Sequence, residues 1–273
     1  MPFVGSPARH SNPETSVSQD SIQLAGVNKV YHEAGGSPVP ALEDINLNIP
    51  AKSFVSLLGP SGCGKSTLLK LIAGIEQPTS GAICCLGQTL QGINTDAAYV
   101  PQGRGLFPWM TLLANLEFPL KLAGIAADER RRKALEWVER VRLVGFEHKF
   151  PRQLSGGMEK RGSLAHALIT GKPILLMDEP FGPLDAQTRL RLQQQLMQLW
   201  EGVDNTVVFV THDVIEAIAL SDLVIVLSPR PGRILEAVTV SLPRPRNVLT
   251  VPDCDGFVGL HARLQGLLFQ EQA

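Results

Sequence analysis

The stretch GPSGCGKST, residues 59–67, decides the fold of this chain. Its spacing is a glycine, four further residues and then Gly-Lys-Ser, which places Gly64, Lys65 and Ser66 in series. Glycines at this spacing permit backbone angles at which successive N–H groups point inward and cradle phosphates. Lys65 is then expected to reach the terminal phosphates, and Ser66 to ligate Mg²⁺. The stretch therefore predicts a phosphate-binding loop.

The segments on either side of this loop indicate an α/β domain. SFVSLL, residues 53–58, is an almost continuous apolar run, which is typical of a buried parallel strand. STLLKLIAG, residues 66–74, has apolar residues at helical spacing and ends at a glycine, and its N-terminus adds a favourable dipole for an anion. We expect the loop to hold a nucleotide through the following residues: Gly59, Pro60, Ser61, Gly62, Cys63, Gly64, Lys65, Ser66 and Thr67.

Two further apolar strands end in polar residues. ILLMDEP ends in Asp178 and Glu179, which suit a water-mediated hold on Mg²⁺ and the activation of an attacking water, respectively. Another apolar run precedes His212, so this side chain is expected at the carboxyl edge of the sheet, beside the γ-phosphate. Gln102 follows the extended segment YVPQ, where it could reach Mg²⁺ or the water. The pattern is explained equally well if Gln102 is an ordinary loop residue without a role in the site.

A second glycine-containing helix start lies at LSGG, residues 154–157. Ser155, Gly156 and Gly157 would offer backbone N–H groups and a hydroxyl to an anion. This stretch has no lysine, and residues 59–67 already hold the phosphates of one nucleotide. We therefore expect it to serve a different copy of the chain, in a two-fold dimer where each copy caps the other's nucleotide.

Composition and patterning bound the rest of the chain. The 273 residues carry a formal net charge of -1, which gives no general case for nucleic-acid binding. The cysteines have no metal or disulfide spacing, and no apolar segment approaches the ~20 residues needed to span a bilayer. We expect a polar, disordered leader over residues 1–20 and a mostly helical insertion over about residues 103–170. Residues 243–273 form an extension to which no role is assigned.

The order of GPSGCGKST, Gln102, LSGGM, ILLMDEP, LDA and THD resembles the ATP-binding subunits of ABC transporters, over about residues 22–240. The resemblance implies an α/β fold, with a P-loop NTPase core, an antiparallel β subdomain and an inserted helical subdomain, over residues 21–242. It also implies that Tyr31 stacks on adenine, that Asp185 lies in a loop crossing the dimer, and that His212 is the switch histidine. Residues 155–157 would form the signature loop.

The same resemblance implies cofactors and partners. Two ATP molecules, with Mg²⁺ held by Ser66, Gln102 and Asp178, would lie between two copies of the chain. The dimer would dock peripherally beneath integral membrane permease subunits, at the cytoplasmic face of the inner membrane, with no nucleic acid involved. GLFPWMTLLANLEFPL, FGPLDAQTR and LSPRPGRI are similar to the nitrate/sulfonate/taurine importer group. In that group a solute-binding protein delivers a small anion, or a related organic solute, to the permease.

Two other classes of protein compete with the importer ATPase. A soluble ABC-type ATPase of nucleic-acid repair or translation typically has two cassettes, coiled coils or basic extensions, and none is visible here. A regulatory nucleotide-binding module would switch without appreciable turnover, and the presence of Glu179 and His212 argues against it. Departures from the family pattern at Pro101, Met158 and His166 remove no catalytic group and concern coupling more than hydrolysis.

Overall fold

The structure is a computed structural model that describes residues 20–32, 36–182, 184–200 and 203–270. The predicted leader lies outside these residues except for Asp20, which begins the first strand. The strands are β1 (Asp20–Tyr31), β2 (Val39–Pro50), β3 (Phe54–Leu58), β4 (Ser80–Cys85), β5 (Gln88–Thr89), β6 (Ala97–Val100), β7 (Ile174–Asp178), β8 (Thr206–Thr211), β9 (Leu223–Leu227) and β10 (Ile234–Thr239). The helices are α1 (Lys65–Ile72), α2 (Leu112–Leu122), α3 (Ala127–Arg140), α4 (Gly156–Leu168), α5 (Ala186–Trp200), α6 (Val214–Leu220) and α7 (Phe257–Gln270).

Two sheets form the β part of the described chain. The first is antiparallel, in the order β2-β1-β4-β5. The second has the order β10-β9-β3-β8-β7-β6, in which β10 is antiparallel to β9 and the remaining neighbours are parallel. The predicted fold class is confirmed: this is an α/β fold with a parallel core and an antiparallel β sheet beside it.

The parallel sheet is buried on both faces, which explains its continuous apolar runs. Every residue of β3, β7 and β8 is buried. Successive side chains of β3 enter different clusters, because side chains alternate across a strand: Phe54 and Leu58 pack with the helices that follow β6, and Val55 and Leu57 pack with α1 and the antiparallel sheet. The strand that precedes the phosphate loop is therefore anchored from both sides.

Helices dominate between β6 and β7. α2, α3 and α4 pack together, and a short 3-10 helix covers Pro151–Gln153. Thr111 caps α2 by accepting a hydrogen bond from Ala114 N at 3.2 Å, and the apolar faces of the helices join the larger core cluster. This is the region in which the sequence predicts a mostly helical insertion.

Two arginines fasten the segment after β10 to the C-terminal ends of α5 and α6. Arg246 is 5% exposed and donates to the carbonyl oxygens of Ile218 and Ser221, at the end of α6. Burial lowers the pKa of its guanidinium to about 10. Arg244 donates to Asp222 Oδ1 at 2.7 Å and lies over the ring of Trp200, 4.5 Å from its centroid. The part of the C-terminal extension that the structure describes is thus bound to the core through polar contacts.

None of the helices within the described residues combines the length and the apolar character that a membrane span requires.

Gly74 is a position where the fold requires glycine. It follows α1 with φ +68°, and a Cβ there would lie 1.8 Å from Gly92 O. Gly87 has a similar φ of +78° but no atom near the position of a Cβ. Left-handed backbone costs an L-residue about 1–2 kcal/mol, so both alanine variants carry that strain. Only the first also meets a backbone carbonyl.

We expect Gly74→Ala to lower the free energy of unfolding by ~3 kcal/mol or more, and Gly87→Ala by ~1–2 kcal/mol. Urea-induced unfolding followed by circular dichroism measures both. Equal losses in the two variants would show that the contact between the turn after α1 and Gly92 is not tight.

Candidate nucleotide-binding site

The loop between β3 and α1 has the shape that the sequence predicts. Gly64 has φ +102° at the start of α1, and a Cβ there would lie 2.7 Å from Leu42 Cδ2 and 2.9 Å from Ala41 O. Gly62 also has a positive φ, of +79°. Both glycines are therefore needed for backbone conformation, and one for space. The loop turns tightly enough to present its N–H groups and the N-terminus of α1 to one point.

Lys65 is folded back onto this loop. Its side chain is buried, with the residue 5% exposed, and its Nζ donates to Gly59 O and Pro60 O, both at 2.8 Å. Neutral carbonyl oxygens compensate a buried ammonium only in part, so an anion in the loop would be a stronger partner. Cys63 lies underneath with 1% exposure, and burial raises the pKa of its thiol, which keeps it neutral.

A chain of hydrogen bonds joins the loop to the end of β7. Ser66 Oγ donates to Asp178 Oδ1 at 2.7 Å, and Tyr99 Oη donates to Asp178 Oδ2 at 3.2 Å. Burial, followed by the nearby Asp178 charge, raises the pKa of Tyr99, so its hydroxyl remains a donor. Tyr99 was missed by the sequence reasoning. Its place on β6, the neighbour of β7, is the signal that could have found it.

Glu179 is the meeting point of two other predicted residues. Gln102 Nε2 donates to Glu179 Oε2 at 3.1 Å, and His212 Nδ1 lies 3.6 Å from the same oxygen. The backbone of Glu179 has φ +40°, which is unusual for a residue with a Cβ and is held by Glu179 N donating to Val210 O at 3.2 Å. Such strain persists only where the surroundings enforce it, and it aims this carboxylate at the sheet edge.

These groups line a polar cavity of about 360 Å³ above the loop. The predicted residues in its lining are Tyr31, Ser61, Gly62, Gly64, Lys65, Ser66, Thr67, Gln102 and Glu179. Gly59 and Pro60 lie behind the loop as acceptors for Lys65. Asp178 is 5% exposed behind Ser66, and His212 lines a smaller recess that shares Glu179. The structure thus gathers the predicted phosphate, metal and water positions at one edge of the parallel sheet.

Tyr31 and Arg230 form the outer wall of this cavity. Tyr31 Oη donates to Glu76 Oε2 at 2.6 Å, and burial followed by that hydrogen bond raises the pKa of the phenol. Arg230 Nε donates to Pro40 O at 3.1 Å. Arg230 was missed as a site residue, although it stands three residues after the end of β9, the parallel neighbour of β3, at the same edge of the sheet.

The second glycine-containing helix start lies in a different cavity, of about 980 Å³. Ser155, Gly156, Gly157 and Asp185 line it together, and among the described residues none lines both this cavity and the one above the phosphate loop. Ser155 Oγ caps α4 by accepting from Met158 N at 3.3 Å. Within one chain, therefore, the two predicted anion sites do not meet.

Lys160 connects α4 with Gln102 and was also missed. It is 8% exposed, and its Nζ donates to Gln102 O at 3.0 Å and to Gly103 O at 2.8 Å. Burial lowers the pKa of its ammonium. From sequence alone, a lysine on the polar side of a helix start is predicted to be a solvated charge. The hydrogen bonds of Lys160 to the backbone at Gln102 and Gly103 are therefore visible only in the folded structure.

The oxygen groups around Ser66 fit Mg²⁺. A hydroxyl, a carboxylate and an amide, from Ser66, Asp178 and Gln102, are hard ligands of the kind this ion prefers. The part of the chain that the structure describes has no cluster of three or more His, Cys, Asp or Glu side chains suited to a metal. Mg²⁺ does not need such a cluster, because it usually keeps waters and shares substrate phosphates.

The parallel sheet, the loop after β3 and the carboxylates after β7 define a P-loop nucleotide-binding domain. Comparison with known proteins specifies the family. The family model described as "ABC transporter" matches residues 42–182.

Three relatives and one solved structure show how far this similarity extends. The nitrate import ATP-binding protein NrtD of Synechocystis sp. is 44% identical, covering 81% of this chain and 83% of that protein. The aliphatic sulfonates import ATP-binding protein SsuB of Bacillus cereus is 41% identical (83% and 89% covered). The taurine import ATP-binding protein TauB of Yersinia pestis bv. Antiqua is 44% identical (80% and 85% covered). A dimeric ATP-binding cassette in a post-hydrolysis state, bound to ADP and Pi, superposes with a TM-score of 0.72 at 33% identity, over 81% of this chain and 100% of that chain.

The chain belongs to the ABC transporter family, as one of its ATP-binding subunits. It is an ATPase that binds ATP, and the predicted resemblance is confirmed. The competing hypothesis of a nucleic-acid repair or translation ATPase is not favoured by these relatives.

Replacement of Lys65 tests the phosphate loop. Hydrogen bonds to charged groups contribute ~1.5–3 kcal/mol, so Lys65→Ala should weaken ATP binding about ten- to a hundredfold. Lys70→Ala on the same helix is the matched control, because Lys70 lies 3.8 Å from Glu76 and is not part of the cavity lining. Equilibrium binding of a fluorescent ATP analogue measures both. An unchanged dissociation constant for Lys65→Ala would contradict the assignment of this loop.

Proposed function

We propose that this chain energises an ABC importer of a small anion, or a related organic solute, by hydrolysing ATP between two copies of itself. Glu179 lines the cavity above the phosphate loop, and its contacts with both Gln102 and His212 carry the hydrolytic part of the proposal. The importer part is supported by the relatives, which are named for the import of nitrate, aliphatic sulfonates and taurine. These compounds share an oxyanion group.

Each site residue has a proposed role in binding. Residues 59–67 enclose the phosphates with their N–H groups, and Lys65 Nζ exchanges its carbonyl partners for the β- and γ-phosphates. Tyr31 stacks on adenine at the outer wall. Ser66, Asp178 and Gln102 would hold Mg²⁺, directly or through water. When bound, this ion would supply positive charge that stabilises the phosphates during cleavage.

The hydrolytic step falls to Glu179. Its carboxylate is the general base that orients and deprotonates water, and it receives no compensating lysine or arginine within salt-bridge distance in the part of the chain described. His212 contacts the γ-phosphate, where its ring can stabilise the developing charge. Gln102, already bonded to Glu179, holds the water or Mg²⁺. Together these three groups form the catalytic set.

The separation of the two anion sites supports a two-fold dimer. Because Ser155, Gly156 and Gly157 lie apart from the phosphate loop of their own chain, we assign them to the ATP of the partner copy. Asp185, on the same cavity, then lies in the loop that crosses between copies. The solved relative in a post-hydrolysis state is itself a dimer.

The remaining partners follow from the family. We assign the dimer a peripheral place at the cytoplasmic face of the inner membrane, beneath integral permease subunits that receive solute from a solute-binding protein. No nucleic acid takes part. We assign residues 21–242 to the ATP-binding domain, about residues 103–170 to its helical subdomain, and residues 243–273 to a C-terminal extension without an assigned role. The tie from Lys160 to the Gln102 backbone gives the helical part a direct connection to the catalytic cavity.

Glu179→Gln separates binding from hydrolysis. The amide keeps the size and one acceptor, but it cannot take a proton, so ATP should bind normally while turnover falls about 10²-fold or more. Because uncleaved ATP then bridges two copies, the variant should elute as a dimer on gel filtration with ATP and Mg²⁺. Glu136→Gln, at an exposed pair with Arg132, is the control. Hydrolysis at the parent rate would eliminate Glu179 as the base.

Ser155→Arg tests whether the second loop acts on the partner's ATP. Its bulk should block the γ-phosphate of the facing copy and leave Lys65, Ser66 and Tyr31 of its own chain free. We therefore expect near-normal ATP affinity in the isolated chain, little turnover and no ATP-driven dimer.

The affinity of labelled ATP for isolated Ser155→Arg decides this prediction. If that chain binds ATP as poorly as Lys65→Ala, the loop acts within its own chain. Mixing the two variants provides a second test, since both lesions then fall in one composite site. The other site stays intact, and partial recovery of turnover is expected if one site can act alone.

A further inference from the structure

Glu216 is a buried carboxylate that the hydrolytic mechanism above does not use. It lies in the first turn of α6 and is 8% exposed. Oε1 accepts a hydrogen bond from Gln193 Nε2 at 2.7 Å, and Oε2 accepts one from Thr211 Oγ1. Burial raises the pKa of this carboxyl to about 6, against the lowering effect of the two hydrogen bonds. Burial of an ionised carboxylate is costly unless it is paired or hydrogen-bonded, and here the two hydrogen bonds offset that cost in part.

The carboxylate is not needed to begin the helix. Asp213 already caps α6, accepting from Ile215 N at 2.8 Å and from Glu216 N at 3.1 Å through Oδ1. The Glu216 side chain instead reaches across to the end of β8. Its function must therefore concern the residues that it contacts there.

The residue that it contacts there, Thr211, directly precedes His212. Thr211 Oγ1 donates to Glu216 and also accepts from Asp213 N at 3.0 Å. The hydroxyl of Thr211, the residue before the histidine, thus also binds the backbone of Asp213, the residue after it. Glu216 sets the orientation of this hydroxyl, because it accepts the hydroxyl proton. His212 itself is largely exposed, and its ring nitrogen Nδ1 lies 3.6 Å from Glu179 Oε2. Its backbone, more than its ring, is held in place.

The second bond of Glu216 extends to α5. Gln193 is 3% exposed and lies in the helix that begins directly after Asp185. Arg189, one turn earlier on the same helix, lines the same small recess as Glu179, His212 and Glu216. One carboxylate therefore joins the helix behind the proposed dimer loop to the strand end that carries the histidine.

We propose that Glu216 is a positioning residue for hydrolysis, which holds Thr211 and Gln193 so that His212 stays beside Glu179. This inference rests on the roles proposed for His212 and Glu179. The groups that face Glu216 are Gln193 and Arg189 from α5, Thr211 from β8 and Asp213 before α6, with His212 and Glu179 at the recess. Protonation of Glu216 removes the stronger, charge-assisted acceptor from both bonds.

The first experiment compares ATP turnover by the purified full chain with that of Glu216→Gln from about pH 5.5 to about pH 8. Glutamine resembles the protonated carboxyl, so the ratio of parent kcat to variant kcat should exceed one at neutral pH and fall towards one below about pH 6. Titrations common to both proteins cancel in this ratio. The KM for ATP should change less than about twofold, because the phosphate loop is untouched.

Two further variants separate positioning from simple stability. Glu216→Ala should lower kcat about tenfold, since a misplaced catalytic group is costly even when the shift is small. In the exchange variant Gln193→Glu with Glu216→Gln, the amide at 216 can accept from Thr211 and donate to the new carboxylate, so kcat should recover. Glu129→Gln, at an exposed pair with Lys133, is the control. Thermal melting of every variant accounts for loss of folded protein.

The proposal is overturned if the kcat ratio stays at one at every pH, if KM rises as much as kcat falls, or if the exchange variant is no more active than Glu216→Gln. Its failure is distinguishable from that of the proposed function. A parent chain that loses turnover in Glu179→Gln but is insensitive to Glu216 disproves only the positioning role. If Glu179→Gln hydrolyses ATP like the parent, the proposed catalytic set fails, and the positioning role fails with it.

Discussion

The parallel pairing of β3, β7 and β8 is the constraint on which the rest of this molecule depends. Leu58 is paired with Thr211, and Asp178 with Val210, so three strands end at one edge within a residue of each other. The phosphate loop, the carboxylates Asp178 and Glu179, and His212 each lie at or directly after one of these ends. Because the carboxyl ends of parallel strands lie at the same edge of the sheet, residues far apart in the chain are brought close together by the strand pairing itself. The 2.7 Å bond from Ser66 to Asp178 is the direct product of this register.

Buried charge is concentrated next to that edge, and each charge has a compensating partner. Lys65 is held by loop carbonyls, Asp178 by the Ser66 and Tyr99 hydroxyls, and Glu216 by Thr211 and Gln193. In a low-dielectric interior such groups are orientated by hydrogen bonds before any ligand arrives, which is the arrangement that stabilises developing charge most effectively. The apolar clusters on both faces of the sheet support this arrangement. Their close packing holds the strands in position when the polar groups change partners.

Much of the fold was predictable from local pattern. Continuous apolar runs predicted β3, β7 and β8, because a strand that is buried on both faces has few polar residues. Apolar residues at helical spacing, followed by Gly74, predicted α1, because a left-handed turn after a helix favours glycine. The site was predictable where motif and element coincide, as at residues 59–67 and 178–179. Tyr99, Lys160, Arg230 and Glu216 were not found in this way. Each acts through a partner at least several residues away, on another element or beyond a turn, and none differs in its local sequence from a strand tyrosine, a surface lysine, a loop arginine or a helix-start glutamate.

The sequence by itself determined the class of protein and the identity of its phosphate loop, because glycine spacing, a following lysine and the flanking apolar periods are properties of neighbouring residues. Only the tertiary structure decided which groups meet. It brought Gln102 and His212 to one oxygen of Glu179, and it put the loop at Ser155 in a different cavity from Lys65. The physical reason is that strand order and helix packing are set by the burial of apolar faces over the whole chain. No stretch of residues contains that information alone.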